Sequence, residues 1–275
     1  MSKKLCLLLS ILVASSSVLS KSNTEDAVLI DIHLLLDRSG SMTNIGTSVV
    51  ENLNNFIVQQ QNETAKNVQF SLIQFDTMEP HQVTIDSENI MNVKPLTLHD
   101  FKPRGGTPLY DAIGQVISRA EQTHSSEKND DRNGRMRKQK HSVATVVVIF
   151  TDGEENSSKK HTAASIKKLI SAKEEEGWAF IYMGANVDAF AESKIIGLKS
   201  SSSQNYIPDR DGVRSAFSSM SNSFKRYARI ISAAALNQEE SEFVELQKSA
   251  AADMFDDSNN DAQKDYESRM KNQQL

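Results

Sequence analysis

Two nearly continuous apolar runs of strand length dominate this sequence: Val28–Leu36, VLIDIHLLL, and Val143–Phe150, VATVVVIF. Such runs are typical of strands that are covered on both faces, as in parallel sheets. Asp37 follows the first run directly, and Asp152 follows the second run after one threonine. Ligands of open α/β sheets bind at the carboxyl ends of the strands, so a site is expected at the loop that follows the first run.

The segments between and after these runs alternate between helix and strand patterns. Asn44–Gln60 has apolar residues at spacings of three and four, which indicates an amphipathic helix. Val68–Phe75 alternates in polarity and returns through a turn into His81–Ile85, so this third strand is antiparallel and at the sheet edge. The later segments favour a helix at 162–176, a strand at 178–183, a short helix at 184–195, a short strand at 206–207 and a last helix at 211–229. The sequence predicts an α/β fold, with a doubly wound, mostly parallel six-stranded sheet, one antiparallel edge strand and helices on both faces.

The loop after the first run, DRSGS, carries three oxygen donors over five positions: Asp37, Ser39 and Ser41. Gly40 allows the backbone to turn tightly around whatever these donors hold. All three are hard oxygen ligands without a neighbouring histidine or cysteine, and this set suits Mg²⁺ or Mn²⁺ better than Zn²⁺. His33, within the run itself, is expected to be a core histidine rather than a ligand.

At this point the sequence resembles the von Willebrand factor type A (vWA) family, over about Val28 to Arg229. The metal-ion-dependent adhesion site of that family has the pattern Asp-x-Ser-x-Ser, then a distant Thr, then a distant Asp. Here Asp37-Arg38-Ser39-Gly40-Ser41 matches the first part, Thr107 in RGGTPLYDAI the second, and Asp152 in VVVIFTDGEEN the third. The likeness is greatest to the short stand-alone vWA proteins of bacteria and phages.

The resemblance implies a metal site in which the hydroxyls of Ser39, Ser41 and Thr107 are direct ligands. Asp37 and Asp152 would act largely through bound water. Because the direct donors are mostly neutral, the cation, Mg²⁺ with Mn²⁺ as an alternative, keeps positive character and can accept a carboxylate from a protein partner. Thr107 also precedes Pro108 at a predicted helix start, so its hydroxyl has a competing interpretation as the helix N-cap.

Three regions flank this domain. Residues 1–22 combine Lys3 and Lys4, an apolar run and small residues, as a secretory signal peptide does, with cleavage expected between Ala14 and Ser22; an apolar helix packed on the domain is the alternative. The domain is expected over 28–236. Residues 237–275 are acidic and expected to be disordered as a tail, although Phe243 and Leu246 could support a short helix before Asp253.

Other features limit the classes of function. The chain has 275 residues, a net charge of −5 and a single cysteine, so no intramolecular disulfide can form. Lys128–Lys140 has a net charge of +4 but no aromatic residues, which favours a solvated loop and disfavours nucleic-acid binding. Asp256, Ser258, Asn260 and Glu267 fall at calcium-loop positions, but Asp261 occupies the position that requires glycine.

Three functional hypotheses follow. The leading one is a secreted or periplasmic vWA module that binds a protein carboxylate through Mg²⁺, with no enzymatic activity, no nucleic-acid partner and no transmembrane segment. The alternative is a cytoplasmic vWA accessory subunit in a stress-response or chelatase-like assembly. A metal-dependent hydrolase is the third. It is disfavoured because no positioned base accompanies Ser39 and Ser41, and no nucleotide-binding motif is present.

Overall fold

A computed structural model describes residues 28–63, 67–129, 142–185, 189–234, 240–252 and 266–271. The strands are β1 (Val28–Asp37), β2 (Val68–Phe75), β3 (Gln82–Asn89), β4 (Ser142–Thr151), β5 (Ala179–Ala185) and β6 (Ser203–Tyr206). The longer helices are α1 (Gly46–Glu63), α2 (Leu109–Asn129), α3 (Ala163–Glu175), α4 (Ala189–Ile195), α5 (Arg210–Ala234) and α6 (Glu240–Ala252).

The strands form one six-stranded sheet in the order β3-β2-β1-β4-β5-β6. All neighbours are parallel except β2 and β3, which are antiparallel. The two apolar runs therefore lie side by side at the centre of the sheet, with Leu36 of β1 opposite Phe150 of β4. The predicted fold class is confirmed, including the antiparallel edge strand.

Alternate residues of β1 face two separate hydrophobic cores. Ile30, Ile32, Leu34 and Leu36 pack with α1, α5 and α6, whereas Leu35 packs with α2 and α3 on the other face. This two-sided burial explains why the run lacks the polar alternation of a half-exposed strand. Because both faces are covered, the exposed end of the sheet near Asp37 is where a ligand can approach the strands.

The acidic tail is more closely packed at its start than the sequence predicted. Residues 240–252 form α6, at the place where Phe243 and Leu246 could support a short helix, and Phe243 and Ala250 are buried in the core cluster that includes α5. Gln247 is also buried, and its side chain donates a 3.0 Å hydrogen bond to the Val143 carbonyl. The sequence did not predict this packing, because a polar side chain makes part of the contact. The packed domain therefore continues past residue 236.

Several other predictions fall outside the described residues: the signal peptide, most of the basic segment 128–140, and Asp256, Ser258 and Asn260 of the rejected calcium loop. Within the described residues, no helix has the length and apolar character needed to cross a membrane.

Candidate metal centre

Asp37 ends β1 with its side chain fully buried, and its carboxylate accepts hydrogen bonds on both oxygens. Oδ1 accepts from the Ser39 backbone N–H at 2.7 Å, and Oδ2 accepts from the Thr151 hydroxyl at 2.6 Å. Burial raises the pKa of Asp37 to about 6, although these hydrogen bonds act in the opposite direction, and the charge of Asp152 raises it further. A buried carboxylate with a raised pKa and no cationic partner in direct contact is suited to meeting a cation.

Ser39, Ser41 and Asp152 form a short chain of hydrogen bonds beside Asp37. The two serine hydroxyls are 2.9 Å apart, and Ser41 donates to Asp152 Oδ1 at 2.6 Å. Burial raises the pKa of Asp152 despite the hydrogen bond from Ser41. The loop from β1 and the end of β4 are thus joined by side chains, as expected when the carboxyl ends of neighbouring parallel strands meet.

Thr107 reaches the same place from the loop before α2. This loop is held against the β1 loop by a hydrogen bond from Gly40 N–H to the Gly105 carbonyl at 3.0 Å. A Cβ added to Gly153 would lie 3.5 Å from the Thr107 hydroxyl and 3.7 Å from the Ser41 hydroxyl, so both oxygens border Gly153. The structure brings together all five residues that the sequence singled out.

Glu155 is a residue of this region whose role the sequence did not reveal. Its Oε2 accepts a 2.9 Å hydrogen bond from Tyr110 N–H in the first turn of α2. Ser158 accepts from the next N–H, that of Asp111, at 3.0 Å. The amino end of α2 is therefore capped from the β4–α3 loop, and no hydrogen bond of the Thr107 hydroxyl to the helix occurs among the described residues. This removes the competition between capping and ligation at Thr107.

A buried ion pair between Arg38 and Asp76 holds the loop after β1 in place. Arg38 is almost fully buried and donates from Nε to Asp76 Oδ2 at 2.8 Å, with Nη2 2.6 Å from the same oxygen. Asp76 Oδ1 accepts from the backbone N–H groups of Met78 and Glu79 at 2.6 and 2.8 Å. The arginine between Asp37 and Ser39 is thereby neutralised and does not offer a free positive charge to the site.

The donor set fits a hard divalent cation. Two carboxylates and three hydroxyls converge, and no histidine or cysteine is a hydrogen-bond partner of these side chains in the described part of the chain. Mg²⁺ and Mn²⁺ prefer such oxygen ligands.

Comparisons with known proteins agree with this architecture. The family model described as von Willebrand factor type A domain matches residues 31–220. Among solved structures, the open conformation of the pilus adhesin SpaC from Lactobacillus rhamnosus GG has a TM-score of 0.54 at 13% identity, covering 73% of this chain and 30% of SpaC.

Two further structures are similar at lower scores. A von Willebrand factor type A protein from Catenulispora acidiphila has a TM-score of 0.49 at 15% identity, covering 73% of this chain and 43% of that one. Proximal thread matrix protein 1 from the mussel byssus, with a zinc-occupied MIDAS motif, has a TM-score of 0.47 at 16% identity, covering 72% and 46%.

This chain spans less than half the length of each of these three proteins, and at such identities the likeness to SpaC concerns the fold alone. No curated protein sequence matches the chain. The family model covers more than half of its residues, and the sheet order and the convergent oxygen donors agree with it. The chain belongs to the von Willebrand factor type A family.

Proposed function

We propose that this protein is a non-enzymatic binding module that recognises a protein ligand through Mg²⁺. Asp37, Ser39, Ser41, Thr107 and Asp152 would hold the ion. The observation that carries the proposal is the difference in exposure among these donors. Asp37, Ser39, Thr107 and Asp152 are each at most 4% exposed, whereas Ser41 is exposed. Ser41 is thus the donor of this set that is open to solvent, and a ligand is expected to approach from its side.

In this proposal Asp37 would contribute negative charge, and the hydroxyls of Ser39 and Ser41 would contact the ion directly. Asp37 already accepts two hydrogen bonds from Ser39 N–H and Thr151, so its carboxylate is held in place as a buried negative charge behind the hydroxyls. The Ser39 and Ser41 hydroxyls are oriented by each other and by Asp152. When bound, Mg²⁺ would supply a positive centre whose open position suits a carboxylate oxygen. The partner is therefore expected to present an aspartate, a glutamate or a chain terminus.

An enzymatic role has less support. Activation of a serine nucleophile requires a base that is positioned to take its proton. Among the described residues the hydroxyls of Ser39 and Ser41 contact each other and Asp152, and no imidazole or amine lies within hydrogen-bond distance. Asp152 would be committed to the cation. The proposal includes a secreted or periplasmic location, for which residues 1–22 are the support.

The test combines metal binding with ligand selection. Titration calorimetry with MgCl₂ should detect binding to the wild-type protein and to Asp86→Asn, a control carboxylate that is exposed on β3. Asp152→Ala should not bind Mg²⁺ and should keep its thermal midpoint in EDTA. A library of C-terminally amidated peptides with one Asp or Glu each, matched to the same peptides with Asn or Gln, should be retained only for the acidic members and only with Mg²⁺. Equal Mg²⁺ binding by Asp152→Ala, or equal retention of acidic and amide peptides, would contradict the proposal.

A further inference from the structure

A second group of potential ligands lies at the other end of β1. Asp31 and His33 are two residues apart and therefore point to the same face of the strand. His124 reaches them from α2. Asp31 Oδ2 is 2.8 Å from His33 Nε2 and 3.1 Å from His124 Nε2. At about 3.3 Å per residue, Asp31 is roughly 20 Å along the strand from Asp37, so the two groups are separate sites.

Two buried polar atoms of this cluster have no hydrogen-bond partner among the described residues. Asp31 and His33 are both at most 1% exposed. Among the described residues, Asp31 Oδ1 and His33 Nδ1 are buried and have no hydrogen-bond partner. Unsatisfied buried polar atoms are uncommon in folded proteins and call for an explanation such as a bound ion. Internal hydrogen bonding therefore does not account for the presence of three polar side chains here.

Both imidazoles are directed at one carboxylate oxygen. Without a cation, each Nε2 has to carry a proton in order to donate to Asp31 Oδ2, and the two rings then share a single acceptor. A cation among the three groups would instead receive a lone pair from each. One ligand atom from each residue can be chosen so that all three lie within 4.8 Å of one another. A tetrahedral zinc shell with bonds of about 2.0–2.1 Å spaces its ligand atoms about 3.3 Å apart, so the two contacts of Asp31 with the histidines would have to lengthen by a few tenths of an ångström.

We propose that Asp31, His33 and His124 form a second metal site, which takes Zn²⁺. Two imidazole nitrogens with one carboxylate are a donor set typical of zinc, in contrast to the oxygen-only donors around Asp37. The His124 side chain is 18% exposed, which provides a path for the ion and room for water as the fourth ligand. The centroid of its ring lies 5.8 Å from that of Trp178 in an edge-to-face arrangement, and this packing limits how the imidazole can turn.

Zinc at this position would cross-link parts of the fold that are far apart in sequence. His124 lies 93 residues after Asp31, in the last two turns of α2, and Asp31 is in the first half of β1. An ion held between them would fix the end of α2 against the central strand. This role is structural and independent of ligand binding at the Asp37 site.

The test uses the full chain without an affinity tag, with Mg²⁺ in excess so that oxygen-only sites are occupied. Zn²⁺ titration of the wild type should reveal a site that is weakened at least ~10-fold in His124→Ala, since even loss of an outer partner of a ligand costs ~10–100-fold. His99→Ala removes an exposed histidine elsewhere and should bind Zn²⁺ like the wild type. Asp152→Ala should also keep this site, because its defect concerns only Mg²⁺.

Co²⁺ substitution provides a second readout that does not depend on any variant. The wild type should develop the intense visible absorption of a four-coordinate cobalt site, and Zn²⁺ should displace it. His124→Gln is the variant to use if His124→Ala does not fold, as judged by circular dichroism in EDTA. Absence of the cobalt band in the wild type, or an unchanged band in the His124 variant, would show that the three residues form a hydrogen-bonded cluster only.

Discussion

Ser41 donates a 2.6 Å hydrogen bond to Asp152, a residue 111 positions further along the chain. This bond joins the loop after β1 to the end of β4, and the two strands are neighbours at the centre of the sheet. The contact depends on the strands ending at the same level, because the register aligns Leu36 with Phe150. The site is thus a direct product of the sheet topology.

Replacement of Ser41 by alanine should weaken Mg²⁺ binding at least ~10-fold, the scale of loss seen when even an outer-shell partner is removed. The unfolding free energy in EDTA should fall by about 1–3 kcal/mol, because the buried Asp152 carboxylate loses a hydrogen bond. Thr43→Ala is the matched control: its hydroxyl lies in the same loop but donates to the Gly40 carbonyl. Calorimetry with MgCl₂ measures the first effect and urea denaturation the second. Similar Mg²⁺ affinities for the two variants would remove Ser41 from the site.

Asp37 should make the metal-free protein less stable as the pH rises. Its folded-state pKa of about 6 lies above the ordinary value of 3.8, mainly because of burial, so the folded state holds the proton more tightly than the unfolded state. The contribution of Asp37 to stability is full below about pH 4 and is lost as the pH rises through 6. Asp37→Asn should therefore gain up to about 3 kcal/mol relative to the wild type between pH 4 and pH 7.

Urea unfolding in EDTA at several pH values measures this difference. Asp86→Asn, which removes an exposed carboxylate, should run parallel to the wild type over the same range. If Asp37→Asn also runs parallel, the Asp37 carboxyl does not titrate with a raised pKa. With Mg²⁺ present, binding to the wild type should weaken below about pH 6, since protons and the cation compete for this carboxylate.

Glu155→Ala should destabilise the protein by about 1–3 kcal/mol, since several backbone donors lose their acceptor. The carboxylate accepts from Tyr110 N–H at 2.9 Å and from the N–H groups of Ser157 and Ser158 at 2.8 and 2.6 Å. The neighbouring Glu154 is exposed, and its replacement by alanine should change stability by less than about 0.5 kcal/mol. Thermal and urea melts compare the pair. A larger loss for Glu154→Ala would show that the cap on α2 has been misassigned.

Phe243→Ala should cost about 2–4 kcal/mol, because it removes a buried aromatic ring from the contact between α6 and the core. Glu242→Ala changes the adjacent exposed position and should have little effect. The comparison by urea denaturation decides whether α6 belongs to the domain. Equal stabilities would mean that the packing of Phe243 adds nothing to the stability of the fold.

The central strands and the oxygen site were predictable because their signals are local. An unbroken apolar run can be covered on both faces only in the middle of a sheet, and Asp37, Ser39 and Ser41 lie within five positions. Thr107 and Asp152 were found through the family pattern, because the sequence around each of them does not predict that it lies close to Asp37.

Features that rest on long-range polar contacts were not predicted. The packing of the tail helix uses Gln247, which reaches a carbonyl 104 residues earlier, and hydrophobic periodicity does not register such a contact. The last strand was placed at 206–207, but β6 covers 203–206 and is buried with mostly polar residues. His33 is a buried core histidine, as expected. Its cluster with Asp31 and His124 was not predicted, because His124 lies 93 residues after Asp31 on a different element.

Under the proposed function, one exposed donor among four buried ones would separate affinity from choice of partner. The buried donors would favour the cation and a carboxylate in general, and every acidic ligand would gain the same from them. Discrimination between such ligands would then depend on exposed residues on neighbouring loops, such as Met78, which is 71% exposed, and Glu154. Substitutions there would redirect the protein to a new ligand while the common coordination chemistry stayed unchanged.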